Sequence, residues 1–125
     1  MATIRSYTTI EQSKALAKIL PLESADMCFN IANMIPLMVP YSRLGEYFDI
    51  SPTPDFLIPC WSLSALLDIL PTKLQIVLAI NDFQDERKEK YVIGSVEHDK
   101  YDCYADNPVN ACYELLLKLN EVNLL

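Results

Sequence analysis

Glycine is almost missing from this chain: there are 2 in 125 residues, against 8 prolines. A loop that cradles phosphate needs several glycines close together, because the backbone itself must approach the anion. Nucleotide binding by such a motif is excluded, and so is the G-x-S-x-G nucleophile elbow. There is one histidine, His98, so a serine triad has a single candidate base. Cations are also scarce: Lys and Arg number 10 against 17 Asp and Glu, for a net charge of −7. A phosphate-backbone binder needs clustered Lys and Arg, so no direct nucleic-acid binding is expected. The four cysteines, Cys28, Cys60, Cys103 and Cys112, include no C-x-x-C pair and no dense spacing. They read as reduced thiols. Residues 1–10 are polar, without the apolar centre of a secretory signal. The longest uncharged run, Met27–Ser42, has 16 residues and is interrupted by Asn30, Asn33, Pro36 and Pro40. It is too short and too broken to span a bilayer. These absences together predict a cytoplasmic protein with no membrane segment, no cofactor and no metal.

What is present is ordinary globular material. Apolar residues make up 51% and charged residues 22% of the chain, which argues against disorder. The length suits a single domain, residues 1–125, with one modest core. The clearest structural signal is the end of the chain. Asp106 or Asn107 can cap a helix, Pro108 fits its first position, and Val109, Cys112, Tyr113, Leu116 and Leu119 share one face. A first helix is predicted from about Thr9 to Leu20, opened by a capping box of Thr8 with Glu11 or Thr9 with Gln12 and stopped by Pro21. A second runs from about Ser62 to Leu70, with Leu63, Leu66, Leu67 and Leu70 on one side and Ser62 as its cap. Met27–Ile31 alternates like a strand. Lys73–Ile80 is apolar on both faces, the pattern of a central strand covered on both sides. Tyr91–Glu97 and Tyr101–Ala105 complete the strands. From Ala32 to Pro59 the chain reads as irregular, with a short helix near Ser42–Phe48 and prolines at 36, 40, 52, 54 and 59.

Chemistry-bearing residues are few. His98 lies beside Glu97, Asp99, Asp102 and Cys103, but H-x-x-x-x-C with flanking acids matches no strong metal spacing. Charged residues in a turn of this kind more often form a solvated edge. Cys60 precedes a helix start, where a thiol can be activated, yet a small buried residue leading into the helix explains it better. The feature above background is residues 34–58, proline-rich yet carrying Met34, Met38, Tyr41, Tyr47, Phe48 and Phe56. Met, Tyr and Phe are favoured at protein interfaces; packing on the domain's own sheet is the competing use.

Three blocks also carry a resemblance. They are Glu11-Gln-Ser-Lys14 with Leu20-Pro-Leu-Glu-Ser-Ala-Asp-Met27; Pro59-Cys-Trp-Ser-Leu63 with Ala65-Leu-Leu67 and Leu70-Pro71; and Asn107-Pro-Val109 with Ala111-Cys-Tyr-Glu114. In this order they resemble short uncharacterised proteins of phages and integrated mobile elements of Bacteroides-type gut bacteria. The blocks cover roughly a third of the chain, and residues 26–59 differ most. The resemblance implies a bacterial or phage cytoplasm and an accessory role. No activity is established for the group, so no functional residue carries over.

The fold expected is α+β: a small, mainly antiparallel sheet of three or four strands packed against about three helices. Three functional classes follow. The first is a non-enzymatic accessory protein that binds another protein through Met38, Tyr41, Tyr47 and Phe48. The second is an acidic decoy or inhibitor of a host nucleic-acid-binding protein, because residues 81–106 hold eight acids and four bases. Interspersed Arg87, Lys88, Lys90 and Lys100 count against it. The third is a small enzyme with a site near Glu97–Cys103. No catalytic residue is assigned, and oligomeric state is open.

Overall fold

A computed structural model of the chain describes residues 5–30, 34–43, 46, 57–81 and 88–125. The first helix, α1 (Ile10–Leu16), opens on the second of the two capping boxes. Thr9 Oγ1 accepts from the Gln12 N–H at 3.1 Å, and Gln12 Oε1 accepts from the Thr9 N–H at 3.0 Å. Two free donors of the first turn are thus satisfied reciprocally. The helix is shorter than Thr9–Leu20. Past Leu16 two bonds tighten to three-residue spacing, with Lys18 N–H donating to Ala15 O and Ile19 N–H to Leu16 O, while Leu20 N–H also closes on Leu16 O at 2.8 Å, before Pro21 ends it.

Contacts divide the chain into two compact units, Tyr7–Ala65 and Met1–Ser6 with Leu66–Leu125. In the first unit, β1 (Met27–Asn30) lies between β2 (Ile35–Leu37) and β3 (Leu57–Cys60), antiparallel to both. Met27, Phe29 and Cys60 cluster with Tyr7, Ile10 and Ile58. Cys28 and Leu57 cluster with Leu37, Val39 and Tyr41. Odd and even residues of β1 therefore both meet apolar groups, so it is β1 that is covered on two faces. The start of the unit is pinned by polar contacts. Thr8 N–H donates to Trp61 O at 3.0 Å, Trp61 N–H donates to Thr8 Oγ1 at 3.2 Å, and Thr8 Oγ1 meets Ser13 Oγ at 2.7 Å. Trp61 is fully buried, and its indole N–H donates to Ser24 Oγ at 2.9 Å. The next helix, α2 (Leu63–Ile69), is capped by Ser62, whose Oγ accepts from the Ala65 N–H at 3.2 Å. Asp26 holds that cap through both carboxylate oxygens, one accepting from Ser62 N–H and the other from its hydroxyl.

In the second unit, β5 (Tyr91–Ser95) lies between β4 (Ile76–Ile80) and β6 (Cys103–Ala105), again antiparallel. The long helix α3 (Pro108–Glu121) packs on β5 and β6. Asn107 is its cap, accepting from Val109 N–H at 2.8 Å and Asn110 N–H at 3.4 Å. Val109, Cys112, Leu116 and Leu119 are fully buried as their spacing requires, and Ala111 and Leu115 join them. Arg5 ties to this helix start: its guanidinium donates to Asn110 Oδ1 at 2.6 Å, and its carbonyl accepts from the Asn107 amide at 3.1 Å.

The α+β class therefore holds, with about three helices packed against antiparallel strands. Among the described residues the strands form two three-stranded sheets, and two of these six strands come from the stretch that reads as irregular. One expectation is overturned. The strand predicted over Lys73–Ile80 as central and covered on both sides begins at Ile76 and is the edge of its sheet. Lys73 and Leu74 sit in a 3-10 turn, and Gln75 takes a left-handed conformation (φ 51°) that breaks the extended run. Val77 and Ile80 are 50% and 68% exposed. The short helix expected near Ser42–Phe48 lies mostly outside the described residues. Among the described residues no helix is long and apolar enough to cross a membrane.

Candidate functional site

The first candidate surface lies along one arm of the first unit, β2 and the bend that follows it. From Leu37 onward, Leu37, Val39 and Tyr41 turn toward the Cys28–Leu57 cluster. Met38, between them, is left 78% exposed. Met34 and Ile35, at the start of the same arm, are also exposed. Met34 holds a left-handed backbone (φ 61°) at the turn into β2, a conformation that costs a non-glycine residue free energy. Pro36 removes one N–H from β2, a common feature of strands that stay at an edge. The four proposed contact residues thus do not stand alike. Met38 is outward, Tyr41 packs inward, and Tyr47 and Phe48 lie outside the described residues.

The second candidate region, Glu97–Cys103, is divided between surface and interior. Glu97, His98 and Asp99 are exposed, whereas Cys103 is buried and its thiol donates to Tyr101 O at 3.4 Å. The His98 ring meets Tyr101 edge-on, with centroids 6.1 Å apart. Burial pushes the Cys103 thiol up, with Lys118 opposing the shift, so the nucleophilic thiolate is disfavoured. Cys60 is similar: burial raises it more than hydrogen bonds from Thr8 and Ser13 lower it. Among the described residues no three His, Cys, Asp or Glu side chains are grouped to hold a metal ion.

Asp102 does something the sequence does not signal. Its carboxyl lies over Gly94 on β5, so close that a Cβ there would come within 2.0 Å of Asp102 Oδ1. Beside it Val77, Ala79, Val92 and Val96 line a shallow hollow of about 190 Å³. Burial raises the Asp102 carboxyl above its ordinary value, and Asp99 adds to the rise while Lys118 opposes it. The Lys118 ammonium donates to the Asp102 backbone carbonyl at 3.3 Å. One of only two glycines is therefore spent on letting a side chain cross the sheet surface. Chemically the hollow offers apolar walls and a single carboxyl that holds its proton longer than usual.

No family model, no curated protein and no solved structure matches the chain.

Proposed function

We propose that this chain is a cytoplasmic, non-enzymatic accessory protein that acts by binding another protein, with the arm from Met34 to Met38 as its contact surface. The observation that carries the reading is Met38, 78% exposed between residues that pack inward. A large flexible apolar side chain held outward in the bend just past β2 suits an interface, where Met adapts its shape to the partner. Met34 and Ile35, at the start of the same arm, are exposed large apolar residues as well.

The test is capture of partners from a bacterial host lysate by the tagged protein, washed at low and at high salt. A Met34→Ser/Met38→Ser variant is run beside it. Both positions are exposed, so the variant keeps its circular-dichroism spectrum. The expected result is a partner retained at high salt and lost in the variant. Retention by the variant sinks the proposed surface. A partner released by salt and indifferent to the variant belongs instead to the acidic decoy, since exposed ion pairing is screened.

A further inference from the structure

We infer that β4 is a self-pairing edge, through which two copies of this chain join their second sheets by antiparallel strand pairing centred on Leu78. This goes beyond the proposed function and uses none of its residues. Asn81 N–H donates to Lys90 O at 2.7 Å, and Val96 N–H donates to Gln75 O at 3.2 Å. Both pairs continue the register that sets Val77 opposite Gly94 and Ala79 opposite Val92. In an antiparallel ladder the bonded pairs alternate. Val77 and Ala79, with the Gln75 carbonyl and the Asn81 N–H, therefore turn their backbone polar groups toward β5. Ile76, Leu78 and Ile80 turn theirs the other way. Among the described residues no strand lies on that side, and nothing bonds those three N–H and three C=O groups.

Such an edge is a template for another strand, and proteins commonly blunt it with lysine, proline or a bulge. Ile76-Val-Leu-Ala-Ile80 has none of these. The occupant is a second copy for reasons of pairing and charge. A two-fold axis at Leu78 sets Ile76 against Ile80 of the second copy, Leu78 against its own equivalent, and Val77 against Ala79. All outward groups of both strands are then bonded. Every cross-strand pair is apolar, and no like charges face each other. The strand ends suit the same axis: Gln75 breaks the extended backbone on one side, and Asn81 closes the other, its side-chain N–H donating to Glu89 O at 3.0 Å. A charged partner strand would find no opposite charge on β4. Five residues make a small interface, so the dimer is weak and concentration-dependent.

The experiment is sedimentation of the full chain from micromolar to millimolar concentration, at low and high salt. Amide hydrogen exchange is followed on the same samples. Dimer should form with concentration, and the N–H groups of Ile76, Leu78 and Ile80 should gain protection as it forms. Salt should tighten it, because each copy carries a net −7 and screening removes their mutual repulsion. Val77→Lys/Ala79→Lys opposes lysines across the axis and should weaken association roughly tenfold. Val77→Glu/Ala79→Lys places opposite charges there and should restore it. A chain that stays monomeric throughout overturns the inference. So does a dimer whose Ile76, Leu78 and Ile80 amides exchange as fast as in the monomer, a measurement that needs no variant. Equal loss in both charge variants overturns the register.

Discussion

At the scale of single residues, Gly94 and Asp102 make the sharpest claims. Gly94→Ala sets a new Cβ 2.0 Å from Asp102 Oδ1 and 3.1 Å from Asp102 Cα. The carboxyl can swing aside, but the backbone must also give. We expect a loss of about 1–3 kcal/mol, the usual cost of overpacking. The loss should shrink when Asp102→Ala is added, which urea denaturation of the four proteins in the cycle would show. Asp102→Asn tests the raised carboxyl. In the folded chain Asp102 keeps its proton to higher pH than in the unfolded chain, so folding takes up a proton in that window. Stability from this group is therefore lost as pH rises from the ordinary carboxylate range through the raised value. Asp102→Asn should be more stable than the parent near neutrality and should converge with it in acid. An advantage that persists unchanged in acid would assign the effect to shape and not to charge. Neither residue was legible beforehand: a glycine in a strand signals a close approach without saying to what.

At the scale of elements, local rules worked where the partners are close in sequence. The Thr9–Gln12 box, the Ser62 cap and the Asn107–Pro108 start all formed, because each closes a ring of a few atoms within one turn. Asn107 also reaches Arg5, 102 residues away, which no local rule reveals. Asn107→Ala should therefore cost about 1–2 kcal/mol, toward the upper part of the range for a lost cap. Asn107→Asp keeps the acceptor for the cap but loses the amide donor to Arg5, and should recover only part of it. Thermal unfolding of both variants would decide. Equal loss in the two would place the whole effect on the Arg5 contact. Strands fared less well. β3 (Leu57–Cys60) contains Pro59 and β2 contains Pro36, and proline argues against a strand unless it lies at an edge. Both are edges, flanking β1.

At the scale of the whole molecule, the cysteines serve as built-in reporters. All four are free and buried, with Cys28 and Cys60 in one unit and Cys103 and Cys112 in the other. Burial raises each thiol, and Cys112 is pushed up to about 12, with Cys103 adding to the effect of burial. The folded protein should leave all four unlabelled by a thiol reagent at neutral pH and expose all four in denaturant. Mass spectrometry after brief labelling would show it. Rapid labelling of either pair in native buffer would mean that its unit opens locally.

The sequence by itself determined the α+β class, the helix starts, the hairpin of β4 and β5, and the buried face of α3. Each depends on residue periodicity or on side chains within one turn of their backbone partners. Only the tertiary structure decided that the six strands form two sheets, that β1 is the covered strand, and that β4 is an edge. Apolar runs say that a strand can be buried, but its neighbours decide whether it is. Met27–Asn30 received apolar partners on both faces, while Ile76–Ile80 received a partner strand on one side alone.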